Sequence, residues 1–141
     1  MTITEEIIKI LSEDSQIQSL LGATSPDDCP ISTVYNYDEA EDKQINVSLE
    51  LGETVPFDQS AKTHDGKITI YILVKDTINN PIETANNIAQ RVLDILDIKG
   101  TTLSTSSTIY WIQKTGSGFL HYDDLHLYEY SITFRFVFTE S

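Results

Sequence analysis

Apolar and polar residues alternate over residues 128–138, broken only at Val137. Tyr128, Tyr130, Ile132, Phe134, Phe136 and Phe138 share one parity, and Glu129, Ser131, Thr133 and Arg135 the other. A period of two sends successive side chains to opposite faces of a sheet, so this stretch predicts a strand with one apolar face. At about 3.3 Å per residue it spans roughly 36 Å, the width of a small domain. The same alternation marks residues 44–51, where Ile45, Val47, Leu49 and Leu51 oppose Asn46, Ser48 and Glu50. It recurs over 67–75, where Ile68, Ile70, Ile72 and Val74 oppose Thr69, Tyr71 and Leu73. Residues 31–37 and 107–115 alternate less cleanly and complete a set of about five strands.

Helical spacing takes over elsewhere. Ile3, Ile7, Ile10 and Leu11 form one stripe, opened by a capping box between Thr2 and Glu5. A short second helix follows, with Asp14 as N-cap, Ile17, Leu20 and Leu21 inward, and Gly22 as its stop. The third begins at Asn80-Pro81-Ile82-Glu83, which offers a cap, a proline at the first helical position and a capping-box glutamate. Ile82, Ala85, Ala89, Val92 and Leu96, widened by Ile88 and Ile95, carry its stripe to Asp97 over roughly 25 Å.

The order helix, short helix, three strands, helix, two strands predicts an α+β fold. A mainly antiparallel sheet of about five strands carries two helices on one face, in a single domain over 1–141. Residues 31–37 and 44–51 are expected to form a hairpin, and Gly116-Ser117-Gly118 a hairpin tip. The sheet face away from the helices is less polar than a solvated face. Tyr71, Leu73 and Val137 fall there, joined by either Tyr110 and Ile112 or Ile109 and Trp111. Tyr71, Leu73, Tyr110, Ile112 and Val137 are therefore the candidate subunit contact, since the chain has no spare helix to cover them. Two connections, 52–64 and 116–125, exceed the length of an ordinary hairpin loop and carry aromatic or apolar groups. Val55, Phe57, Asp58, Lys62 and His64 on the first, and Phe119, His121, Tyr122 and Asp123 on the second, are the candidate partner contacts.

Composition narrows the function. A chain of 141 residues buries about 70% of its unfolded surface and needs no metal or disulfide to fold. Its one cysteine, Cys29, has no partner for a disulfide, and a reducing compartment is expected. Nine Lys and Arg against 22 Asp and Glu give a net charge of −13, with the cations scattered singly. Such a surface does not grip phosphate, which argues against nucleic-acid and anionic-membrane binding, yet it suits a protein past which DNA slides. The acidic groups at Asp27-Asp28, residues 38–42 and Asp123-Asp124 lack the ligand spacing of a calcium loop. His64, His121 and His126 show no paired helical spacing for a metal. With no nucleophile elbow and no phosphate loop, the sequence predicts neither catalytic residues nor a cofactor.

The whole-chain pattern resembles the small tail-completion or tail-terminator proteins of tailed bacteriophages. The resemblance rests on the Thr-x-x-Glu opening, the Ser-Gln-Ile-Gln-Ser-Leu-Leu-Gly segment at 15–22, and the Val34-Tyr35 strand. The alternating strands at 45–51 and 68–75, the Asn-Pro-Ile-Glu helix and the final aromatic strand complete it. It implies a non-enzymatic α+β subunit that forms a ring, usually a hexamer, at the head-proximal end of the tail. The ring stops tube polymerisation and joins the tail to the head connector or stopper, and DNA passes through it unheld. The expected location is the virion neck, with the host cytoplasm during assembly. The partners implied are further copies of the chain, the tail tube protein and the connector. A different class, an acidic monomeric inhibitor or immunity-type protein that binds a basic partner, accounts for the charge and size but less well for the order of elements.

Overall fold

The computed structural model describes residues 3–56, 62–97 and 108–140. Its centre is a ladder between β3 (Lys62–Lys75) and β5 (Leu127–Glu140), antiparallel and free of register shifts from Lys62↔Glu140 to Lys75↔Leu127. The register joins two of the alternating runs of the sequence. Ile68 faces Phe134, Ile70 faces Ile132 and Ile72 faces Tyr130. Matched parity therefore puts an entire apolar set on one face, and a slip of one residue would turn all of it outward. β2 (Lys43–Pro56) adds antiparallel to β3, and β4 (Thr108–Tyr122) antiparallel to β5. The short β1 (Ile31–Thr33) lies beside β2, giving the order β1-β2-β3-β5-β4.

The expected α+β architecture is present, with a mixed sheet. β1 runs parallel to β2, with Ile31 opposite Ile45 and Thr33 opposite Val47, so the predicted hairpin does not form. Parallel neighbours ordinarily need a long crossover. Here β1 is only three residues long, and a 3-10 turn at Val34–Asn36 followed by the acidic segment 37–42 suffices to return the chain to the start of β2. Much of the two presumed long connections is strand instead. β2 continues to Pro56 and β3 begins at Lys62, past a register shift between Leu51 and Thr54. β4 continues through Gly116, Ser117 and Gly118 to Tyr122, so that triplet is strand interior rather than a tip. The ladder tolerates it because β4 bulges between Lys114 and Gly116, after which the glycines face Thr133 and Ser131.

Three helices, α1 (Ile3–Ser12), α2 (Ser15–Leu21) and α3 (Pro81–Leu96), supply the cover. Ile7, Leu11, Ile17 and Leu21 meet Ala85, Ile88, Ala89, Val92 and Leu96 in one core with Ile45, Val47, Ile68, Ile70, Ile72, Val74, Ile132, Phe134 and Phe136. Asp14 starts α2 as expected: its backbone is extended and its carboxylate accepts from the Ile17 amide at 2.9 Å. Gly22 ends α2 at φ 76°. Asn80 precedes α3 but makes no side-chain cap bond, because its backbone is left-handed (φ 51°) and not the extended form from which a cap oxygen reaches inward. Ile82, placed on the apolar stripe by spacing, is 47% exposed in the first turn, ahead of the first buried residue, Ala85. The capping box at Thr2 lies outside the described residues.

Two contacts fix how these layers meet. Arg91 on α3 donates through Nη2 to Asp14 Oδ1 at 2.7 Å and through Nε to Oδ2 at 3.0 Å, a two-pronged bond that ties α3 to the start of α2. Gly66 on β3 lies under the ring of Phe136, and a Cβ there would approach the ring carbons to 2.5 Å. Aspartate–glycine pairs favour turns, yet Asp65-Gly66 runs through β3, where Gly66 gives the aromatic ring room.

Asp14→Ala removes both the cap and the arginine bridge, and is expected to lower stability at pH 7 by about 2 kcal/mol. The Arg91 hydrogen bond holds the Asp14 carboxyl below its ordinary value of 3.8, against a smaller opposing effect of burial. A depressed carboxylate pKa stabilises the fold above the unfolded-state value and ceases to as pH falls through the folded-state value. The urea midpoints of wild type and variant should thus converge as pH drops below 3.8. Gly66→Ala is expected to cost about 1–3 kcal/mol by overpacking against Phe136, read as a lowered urea midpoint with an unchanged slope.

Candidate functional site

The sheet face away from the helices is only partly open. Tyr71 and Leu73 on β3 line a shallow groove with Asn46, Ser48, Glu129, Val34 and Tyr37. One corner is closed by the chain itself. Gln44, 3% exposed, exchanges two hydrogen bonds with the Asp38 backbone, at 3.1 Å and 2.7 Å, and Asn46 donates to Ser32 Oγ at 3.1 Å. Leu73 is buried, Tyr71 and Val137 are half-buried, and Thr69 and Thr133 are bonded hydroxyl to hydroxyl at 3.3 Å farther along the face. The 3-10 turn and the acidic loop thus supply part of the cover that alternation alone assigned to a neighbouring subunit.

Ile112 does not belong to this face. It is fully buried in the helix-side core opposite Phe136. The cause is a second bulge in β4: the ladder pairs Ile109 with Phe138, then Trp111 with Val137 and Ile112 with Phe136, leaving Tyr110 at the slip. One extra residue breaks the period of two, so neither of the two alternating sets expected for residues 109–112 describes this strand. Tyr110 is placed by its backbone in that bulge.

The two sets of partner residues lie at opposite ends of the sheet. Val55 pairs with Thr63, and Lys62 with Pro56 and Glu140, at the end where β2 stops and β3 begins; His64 pairs with Thr54 and Phe138 just inside it. Phe57 and Asp58 lie outside the described residues. Phe119, His121, Tyr122 and Asp123 lie at the other end, where a 3-10 turn at Asp123–Leu125 joins β4 to β5. There the hairpin is exposed on both faces. Phe119 is 40% and Leu120 is 55% exposed on opposite sides of β4, with Tyr122 and Leu125 exposed beside them. Leu120 and Leu125 lie within the connection expected at 116–125 but outside the candidate contacts drawn from it, which are aromatic and polar groups.

Short-range polar contacts shape this end. Tyr122 donates to Glu129 at 2.9 Å, and this bond raises the phenol above its ordinary pKa. On the helix side, Phe119 packs on Tyr128 and edge-on against Tyr130, and the His121 ring stacks on Tyr128 at 4.3 Å. His121 Nε2 lies 2.9 Å from Asp76 Oδ2, and its Nδ1 lies 3.0 Å from Asp123 Oδ1. Asp76, unremarked in the sequence, stands just after β3, and its other oxygen lies 3.6 Å from His126 Nδ1. The acidic run meets the same end of β3, since Lys75 donates its amide to the Asp42 carbonyl at 2.9 Å and its ammonium lies 3.6 Å from the Asp42 carboxylate.

Among the described residues, no group of three or more His, Cys, Asp or Glu side chains is arranged to hold a metal ion. Asp28 is occupied in capping a 3-10 turn, accepting from Thr24 and Ser25. Burial, followed by the nearby Asp28 charge, pushes the Cys29 thiol up to about 11, which leaves little thiolate at neutral pH. No described helix is long and apolar enough to cross a membrane.

No protein-family model matches the chain, and no curated protein matches it. A solved structure does: a chain in the structure titled "Virion of native gene transfer agent (GTA) particle" superposes with a TM-score of 0.69 at 13% identity. The alignment covers 97% of this chain and 94% of that one, so the two share a fold from end to end.

Proposed function

We propose that this protein is a non-enzymatic structural subunit of a phage-type virion, which forms a ring, as a hexamer, at the head-proximal end of a tail. The observation that carries the reading is the end-to-end fold likeness to a chain of a gene transfer agent virion, which agrees with the element order read from the sequence. In this reading the ring terminates tube polymerisation and joins the tail to the head connector. The hairpin ends lie at opposite ends of the sheet, as a joint between two unlike partners requires. One end meets the tail tube and the other the connector. Tyr71, Leu73 and Val137, on the partly open sheet face, serve the contact between subunits. Phage DNA passes a surface that carries −13 per subunit and is not held.

Negative-stain electron microscopy of the purified protein, alone and mixed with tail tubes from the parent phage, is the direct test. Rings, free or capping one tube end, are expected; persistent monomers beside uncapped tubes would overturn the reading in favour of an acidic inhibitor of a basic partner. Because like-charged subunits repel, assembly followed by sedimentation should strengthen with added salt or divalent cation, and a loss of assembly on adding salt counts against the ring. Tyr71→Ala is expected to weaken assembly by about tenfold or more while the monomer melts within a few degrees of wild type, since Tyr71 is half-buried in the isolated chain.

A further inference from the structure

We propose that the imidazolium of His121 is a clasp that pins the β4–β5 turn to the body of the domain, and that loss of its proton frees the turn and the exposed apolar end it carries. Both ring nitrogens face carboxylates, Asp76 at 2.9 Å and Asp123 at 3.0 Å. A neutral imidazole has one N–H and one lone pair, so it satisfies one of these oxygens and turns a lone pair on the other. Only the cation donates to both. Histidine is the side chain whose ordinary charge change falls between pH 5 and 8.

The two carboxylates are unequal. Asp76 is 19% exposed, follows directly on β3, and its amide donates to the His126 carbonyl at 2.8 Å, so its position is fixed by backbone. Asp123 is 89% exposed and belongs to the turn. The remaining proton therefore stays on Nε2 toward Asp76, and the contact to Asp123 is the one released. The Tyr128 ring holds the imidazole in plane through either state. Two further titratable groups stand at the clasp, the stacked Tyr128 phenol and the His126 ring, which is 71% exposed and lies 3.6 Å from the second Asp76 oxygen. Glu129 lies on the opposite face in its bond with Tyr122. Releasing Asp123 loosens the segment that carries Tyr122 and Leu125, so the clasp sets how rigidly this apolar end is presented.

Nitrogen-15 NMR of the full chain tests the device. Both His121 nitrogens should carry protons near pH 5, and the Nε2–H tautomer should dominate at pH 8. Protection of the His126 amide, which donates to the Asp123 carbonyl at 3.3 Å, should fall roughly two- to fivefold over the same range after correction for intrinsic exchange. His121→Phe keeps the stacked ring and should show the low protection at both pH values. His126→Asn, which tolerates the left-handed backbone at φ 53°, should keep the wild-type response. A dominant Nδ1–H tautomer at pH 8, a pH-independent turn in wild type, or an unchanged response in His121→Phe overturns the proposal.

Discussion

The unbroken ladder between β3 and β5 is the constraint on which the rest of the structure depends. Both neighbouring ladders slip, β2 against β3 beyond Leu51 and β4 against β5 at two places, but the central one does not. Its rigidity follows from composition, since the isoleucines of β3 meet the aromatic and aliphatic residues of β5 at every second position. Gly66 is the exception that proves informative: a residue with no side chain stands where the Phe136 ring must pass. With this register fixed, the helices have one apolar surface to cover, and the bulges in the flanking strands adjust the edges without disturbing the core.

The strands are longer than the layer that covers them. β2 to β5 run 14 or 15 residues each, about 46 Å or more when extended, whereas the 16 residues of α3 reach only about 24 Å. An α+β domain of this kind ends up with hairpin ends beyond its helices. At the described end, apolar groups are exposed on both sides of β4, and carboxylates crowd the turn. Excess strand length is thus the physical source of the exposed apolar surface at this end. It also places the candidate partner contacts at sheet ends rather than in a pocket.

Charge and packing divide the work. Among the described residues the one ionic group buried in the core is Glu6 on α1, with the two-pronged Asp14–Arg91 bond at the margin, so stability is carried by apolar burial. Many of the acids sit in turns and loops, where several of them, Asp14, Asp28 and Asp38 among them, cap or brace local backbone. The rest give the protein its net charge, a property that governs which surfaces it approaches more than how it folds.

Much of the fold was legible in the sequence because it depends on local periods. Alternation located β3 and β5, spacing located the helices, and Asp14 and Gly22 marked the limits of α2 through capping chemistry that involves only neighbouring residues. Strand lengths, the direction of β1 and the face of Ile112 were not legible, and each for a stated reason. Gly116 and Gly118 read as a turn until β5 paired beside them; β1 ran parallel because its shortness made the return path short; Ile112 changed face because a bulge at Tyr110 inserted one residue into the period. The candidate site divides in the same way. Phe119, His121, Tyr122 and Asp123 were recognisable as an unusual segment, but the meeting of His121 with Asp76, 45 residues apart, exists only because β3, β5 and β4 end together. The sequence by itself determined which residues are apolar at which period, and hence the elements. Only the tertiary structure decided which of those faces were covered, since cover is a property of the partner element and not of the strand that needs it.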